Sequence, residues 1–228
     1  MPLYVQGFLG GTASQAGVVL LLASLAWTGG SVMAGQGMNR YGYRAVCVLG
    51  MGLMALGYGL FVAMETRGEM VAVLLEGVLI GTGMGMVNVT ALVAGQNGVP
   101  VRRIGIATAT VMLFRTFGGA FGVSMMGSVL FTRMYRQLFA LSAGQSINLS
   151  AVEIEKFANP QSLMDPAARL LIPDRLLSIL VDSLGQSIWY AFVVGFVLSA
   201  LGLCASFFVD PLTPATTKRP EEHGRTRS

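Results

Sequence analysis

Charge is scarce in this sequence, and histidine and cysteine are scarcer. Lys, Arg, Asp and Glu make up 11% of the 228 residues, where a soluble domain carries roughly 25%. Residues 1–34 contain none of them and no histidine, and 45–64 contain none either. Such a chain cannot cover a water-facing surface. The single histidine, His223, lies in a polar C-terminal stretch, while Cys47 and Cys204 stand inside apolar runs without a ligand pattern around them. That disfavours a disulfide framework, a metal site and an enzyme, since no His, Cys or carboxylate cluster is present to carry chemistry. The opening MPLYVQGFLGG also lacks the basic region of a cleavable signal.

What fills the chain instead is apolar residues, 54% of the total, with a mean hydropathy of +0.66. They come in runs of about twenty, the length a helix needs to cross a bilayer core about 30 Å thick. Barrel strands would alternate polar and apolar over about ten residues, and these runs do not. The expected fold is all-α, a polytopic helical membrane protein, because a helix satisfies its own backbone hydrogen bonds in lipid. Five spans are predicted at about 12–34, 45–64, 70–93, 106–131 and 188–209. They would form one bundle over 1–209, with a long loop at 132–187 and a polar tail at 210–228.

Basic residues set the orientation. Arg40 and Arg44 lie in the 35–44 loop, Arg102 and Arg103 in the 94–105 loop, and Lys218, Arg219, Arg225 and Arg227 in the tail. Their density in short loops places these three regions in the cytoplasm and 132–187 outside. The formal charge of +4 is explained by this topology, so nucleic acid is not an expected partner. Within 132–187, Leu176, Leu177, Ile179, Leu180 and Leu184 recur at helical spacing. An amphipathic helix lying on the outer surface is expected there.

The loop GQGMNRYGYR turns between two spans, and its glycines permit close approach and positive φ. Its spacing resembles G-x-x-x-D-R-x-G-R-R, the cytoplasmic loop motif of the major facilitator superfamily. Gly35, Arg40, Gly42 and Arg44 match; Asn39 stands where the family usually has Asp, and Tyr43 where it has a basic residue. The resemblance therefore implies a weaker charged latch here. PLYVQGFLGGTASQAGVVLL and GQNGVPVRRIGIATATVMLFRTFGGAFGVSMMGSVL, which includes Gln96, Asn97 and Pro100, are similar to signatures of the fourteen-span EmrB/QacA-type drug:proton antiporters. That resemblance covers essentially residues 1–209 and implies the last five helices of such a transporter in a bacterial inner (plasma) membrane.

Two ionisable residues fall inside spans, Glu76 and Arg115. Either costs about 2.5–3.5 kcal/mol at the bilayer centre, so each should face protein or water. Arg115 shares a face with Gly118, Gly119 and Gly122, and Glu76 aligns with Gly83 and Thr90. Small residues admit a neighbouring helix, so both charges are expected to point into the bundle. Glu76 then reads as a proton or cation site with Arg115 as its charge-balancing partner; the alternative is a structural ion pair, or an Arg bonded to backbone carbonyls. GTGMGM at 81–86 lacks the strand and spacing of a nucleotide loop and reads as close packing or a hinge.

The function implied is proton-coupled export of amphipathic, often cationic small molecules by alternating access, driven by the proton gradient without a cofactor. The partners are the lipid bilayer, a small-molecule substrate and a missing N-terminal transporter half. From another class comes the alternative of a truncated, non-transporting membrane subunit that associates with partner helices.

Overall fold

The computed structural model describes residues 3–63, 70–143 and 174–209. A short π-helical turn, Tyr4–Phe8, precedes four long helices: α1 (Ala13–Ala63), α2 (Met70–Asn97), α3 (Ile104–Ala143) and α4 (Asp174–Ser206). Each of the four is long and apolar enough to cross a membrane. The chain is a multi-pass, all-α membrane protein.

The start of α1 is fixed by a reciprocal cap. Thr12 Oγ1 accepts from the Gln15 backbone N–H, and Gln15 Oε1 accepts from that of Thr12. Two otherwise orphaned donors are thereby satisfied. The 51 residues of α1 are not one rod, because Gly42 has φ 80 and ψ 170. That backbone is left-handed and disfavours any residue with a Cβ. Residues 13–41 and 43–63 are two arms, and the loop expected over 35–44 contracts to this one residue. Of the three glycines there, only Gly42 takes positive φ, and Gly35 has nothing within 4 Å of where a Cβ would stand.

Helix α2 lies against both arms. Gly81 and Gly85 face the Ala23 and Trp27 carbonyls, so α2 runs parallel to the first arm. Gly50 faces Met86 and Val87, while Gly57 faces Ile80, so α2 runs antiparallel to the second. A Cβ at Gly81, Gly83 or Gly85 would fall on backbone oxygen of a neighbouring helix. Close approach at these positions is therefore possible only because the side chain is a hydrogen atom. GTGMGM is a packing surface, as its residue types suggested.

The second arm continues the bundle toward α4. Trp189 Nε1 donates to the Val62 carbonyl at 3.0 Å, Phe196 packs on Gly59, and Met51 on Gly202. These pairs run antiparallel. Helix α3 packs antiparallel on α4 through Met126 with Gly195 and Arg133 with Tyr190. Two cores result. One end of the bundle joins Tyr4, Val5, Phe61, Val73, Met134, Leu138, Leu180 and Leu184. The other joins Ala34, Met38, Tyr43, Val46 and Met86, with Val209 packed against them.

Two expectations need correction. The stretch containing Leu180 and Leu184 does not lie flat on a surface. It is the first half of α4, and both leucines are buried against Met134 and Leu138. Likewise 132–143 continues α3, which at 40 residues is about 60 Å long, twice a bilayer core. The extended ends of α3 and α4 pack on each other, and that is where these leucines bury. Residues 144–173 of the expected loop and the tail from 210 lie outside the described residues.

The packing makes a differential prediction, checked by thermal unfolding in detergent. Gly85→Ala forces the Trp27 backbone to shift and should cost about 1–3 kcal/mol, as overpacking does. Gly118→Ala meets nothing within 4 Å and should be neutral or slightly stabilising, since Ala is the better helix former by about 0.8–1.0 kcal/mol. Equal losses from both would show that the α1–α2 contact does not set stability.

Candidate functional site

Glu76 is the buried charge of the structure. It is 1% exposed, and among the described residues nothing hydrogen-bonds either carboxylate oxygen. Helix α2 places it there because its buried stripe runs through Val73, Glu76, Gly77, Gly83, Met86 and Thr90. Gly83 lies on this stripe against Gly50 and Met54, and Thr90, fully buried, donates to the Met86 carbonyl at 2.7 Å. Thr90 is self-satisfied within its helix; Glu76 is not. On the second arm of α1, Tyr58 follows Gly57, which faces Leu79 and Ile80 of α2.

Tyr58 also lines a cavity of about 430 Å³, within the roughly 300–1,000 Å³ typical of small-molecule pockets. Ile80, one helical turn beyond Glu76, forms another part of its wall, with Tyr4, Met126, Leu130 and Phe192 closing it. The wall is apolar and aromatic, with two phenol hydroxyls as its polar marks. It is built on a ladder of rings. Tyr4 meets Phe61 edge-on at 5.0 Å, Phe61 stacks on Phe192 at 4.0 Å, and Phe192 meets Tyr58 at 5.9 Å. Rings from three separate elements thus hold the cavity open in a fixed shape. Tyr4 lies in the PLYVQ signature, but no sequence motif marks Tyr58 or Phe192, and only the fold brings the three together.

Arg115 departs from expectation. It is exposed, as is every residue from 112 to 121, and Gly118, Gly119 and Gly122 have nothing within 4 Å of an added Cβ. Helix α3 touches α2 near its start, through Val111 on Gly95, and α4 in its second half. Between these contacts no described helix reaches the glycine face. The Arg115 guanidinium stands 5.8 Å over the Trp27 ring instead of balancing Glu76. The expected Glu76–Arg115 pair is therefore not formed.

The loop signatures do converge. Asn97 Nδ2 donates to the Tyr43 hydroxyl at 2.7 Å, joining the end of α2 to the α1 break. Gln96 Nε2 donates to Thr108 Oγ1 at 2.9 Å, joining the same end to α3. Pro100 then opens the short turn Val101–Arg103 that leads into α3, its carbonyl accepting from the Arg103 N–H at 2.8 Å. Arg44 lies 5.9 Å from the Phe207 ring, so the end of α4 reaches this region too. Asn39 and Arg40 are exposed, with Arg40 beside the Tyr41 ring at 5.4 Å. Tyr43, one of the two departures from the motif, is thus the residue that ties the two loops.

A family model described as Major Facilitator Superfamily matches residues 1–123, which hold the α1 break, the glycine-packed α2 and the Gln96–Asn97 junction. The chain belongs to the major facilitator superfamily. Among its superfamily relatives, the multidrug transporter protein MdtP of Bacillus subtilis is 25% identical over all of this chain and 45% of its own length. Multidrug resistance protein 3 of the same organism is 24% identical over 95% of this chain and 42% of its own. A tetracycline resistance determinant of Streptomyces rimosus is 25% identical over 98% and 70% respectively. The chain spans less than half the length of the first two relatives. No solved structure matches it.

The Tyr43–Asn97 contact makes a measurable claim. Tyr43→Phe and Asn97→Ala should each destabilise the folded chain, and a double-mutant cycle should give a coupling of about 0.5–1.5 kcal/mol, the usual worth of one hydrogen bond. Additive losses in detergent unfolding would show that the two loops are not tied.

Proposed function

We propose that this major facilitator chain serves proton-coupled export of amphipathic, often cationic compounds across a bacterial inner membrane, as the C-terminal part of a fourteen-span EmrB/QacA-type transporter. The observation that carries this reading is Glu76, a buried carboxyl with no hydrogen-bond partner among the described residues, one helical turn from an aromatic cavity. A bare carboxylate cannot remain there at low cost. It is carried neutral, or it is met by water or a cation when the bundle opens. Either event couples the state of one proton to the shape of the cavity wall through Tyr58 and Ile80.

The cavity supplies the other half of the mechanism. Aromatic rings and a methionine accept varied apolar bodies and stabilise a cationic centre by cation–π attraction worth about 0.5–2 kcal/mol. A cation seated there favours an ionised Glu76, and a proton on Glu76 disfavours the cation. Competition of that kind exchanges one positive charge for the other. The names of the multidrug and tetracycline resistance relatives agree with such cargo. Alternating access requires a second helical half, so the upstream reading frame should encode further spans.

The test is Glu76→Gln in the complete transporter, in proteoliposomes with an imposed pH gradient. Gradient-driven export of a fluorescent cationic drug should be lost while its equilibrium binding survives. Because Arg115 does not pair with Glu76, the effects of Arg115→Ala and Glu76→Gln on equilibrium drug binding should add within about 0.3–0.5 kcal/mol. Wild-type gradient coupling in Glu76→Gln would remove the carboxyl from the mechanism.

A further inference from the structure

At the far end of α3 a second pocket, about 260 Å³ in volume, lies against α4 and is lined by Arg133, Arg136, Gln137, Gln186, Ser187 and Tyr190. It carries two guanidiniums and no carboxylate. The Arg133 guanidinium carbon stands 3.8 Å from the Tyr190 ring centroid, so it is stacked on the ring face. Stacking occupies the π surface of a guanidinium and leaves its in-plane N–H donors free. Gln137 donates to Gln186, which fixes both amides at the pocket wall and leaves the Gln186 NH₂ group as a further donor among the described residues. Ser187 donates to the Ser183 carbonyl at 2.7 Å, so its hydroxyl is committed elsewhere. What remains is a set of donors converging from two helices, with neutral amide and hydroxyl oxygens but no anionic acceptor among the described residues to meet them.

Depth identifies the ligand. From Arg103 to Arg133 the chain runs thirty residues, about 45 Å of helix. That is about the thickness of a bilayer with both headgroup layers. If Arg102 and Arg103 lie at one headgroup level, Arg133 and Arg136 lie at the other. Trp189 and Tyr190, perpendicular at 5.0 Å, sit beside them as interfacial aromatics do. Planar guanidiniums at that depth match the oxygens of a phosphate.

The geometry points to a phosphate-binding site between α3 and α4, at the end of the bundle away from the Gly42 break, that takes the headgroup of an anionic phospholipid. The same donors would take a free phosphate, and the experiment separates these sources. Purified protein is mixed with phosphatidylglycerol vesicles, with phosphatidylcholine vesicles, or with inorganic phosphate. Retained lipid is read by native mass spectrometry, and stability by thermal unfolding.

Phosphatidylglycerol should be retained and should raise the unfolding midpoint. R133Q/R136Q should lose both effects, with affinity falling about tenfold or more per guanidinium, as expected for charge-assisted bonds. R136Q alone guards against misfolding, since Arg136 is exposed, and it should lose part of the effect with unchanged helicity. Displacement of the lipid by millimolar inorganic phosphate would assign the site to soluble phosphate, and failure of phosphate to compete would assign it to lipid. Equal responses to the two lipids, or a wild-type response from both variants, would overturn the site.

Discussion

Backbone contact between α2 and the two arms of α1 is the constraint on which the rest of the structure depends. Lipid tails are as apolar as leucine, so helices in a bilayer associate by close packing and not by escape from water. Here Gly30, Gly81, Gly83 and Gly85 bring peptide groups of neighbouring helices together where any Cβ would collide. That wedge keeps the arms apart on either side of α2 and fixes the rotation of α2 about its axis. Fixing that rotation is what turns Glu76 inward. The buried carboxyl, the Tyr58 wall and the cavity beyond it follow from glycines elsewhere on the same helix.

Much of this was legible in the amino-acid sequence, and the rest was not for identifiable reasons. Spans are set by local composition, so long apolar runs announced helices without any tertiary knowledge. Glu76, Gly83 and Thr90 share one face by helical periodicity alone, and all three are buried. The same arithmetic aligned Arg115 with Gly118, Gly119 and Gly122 but could not supply a helix to meet them. Periodicity says which residues share a face; it does not say whether a neighbour exists. The cavity was invisible for a related reason. Tyr4, Tyr58 and Phe192 are distant in sequence and share no motif, and only antiparallel pairing of α4 with the second arm brings their rings together. The leucines at 180 and 184 carried a true helical signal, but their partner Leu138 lies on the part of α3 that overshoots its apolar run.

The loop end shows how one position departs from a family pattern and still serves it. Where the motif usually has a basic residue, Tyr43 donates nothing to a charged latch. Its hydroxyl instead receives the Asn97 amide, inside a core with Ala34, Met38 and Met86. A tie between neutral groups in apolar surroundings is screened little by salt and does not depend on either partner's ionisation in the ordinary pH range. The loop end is then held by a contact blind to ionic strength, while the buried Glu76 carboxyl lies toward the opposite end of α2.

The two tryptophans have a practical consequence. Trp27 stands beneath the Arg115 guanidinium, which arrives from a helix with few other contacts at that level. Trp189 donates its indole N–H to the Val62 carbonyl at the tightly packed seam between α1 and α4. One indole borders an exposed cation and the other a backbone carbonyl. The protein therefore contains its own pair of optical sensors, and each can be isolated by replacing the other with phenylalanine. Emission from Trp27 would report any change in the seating of α3 against the first arm, and emission from Trp189 would supply a reference from the packed seam.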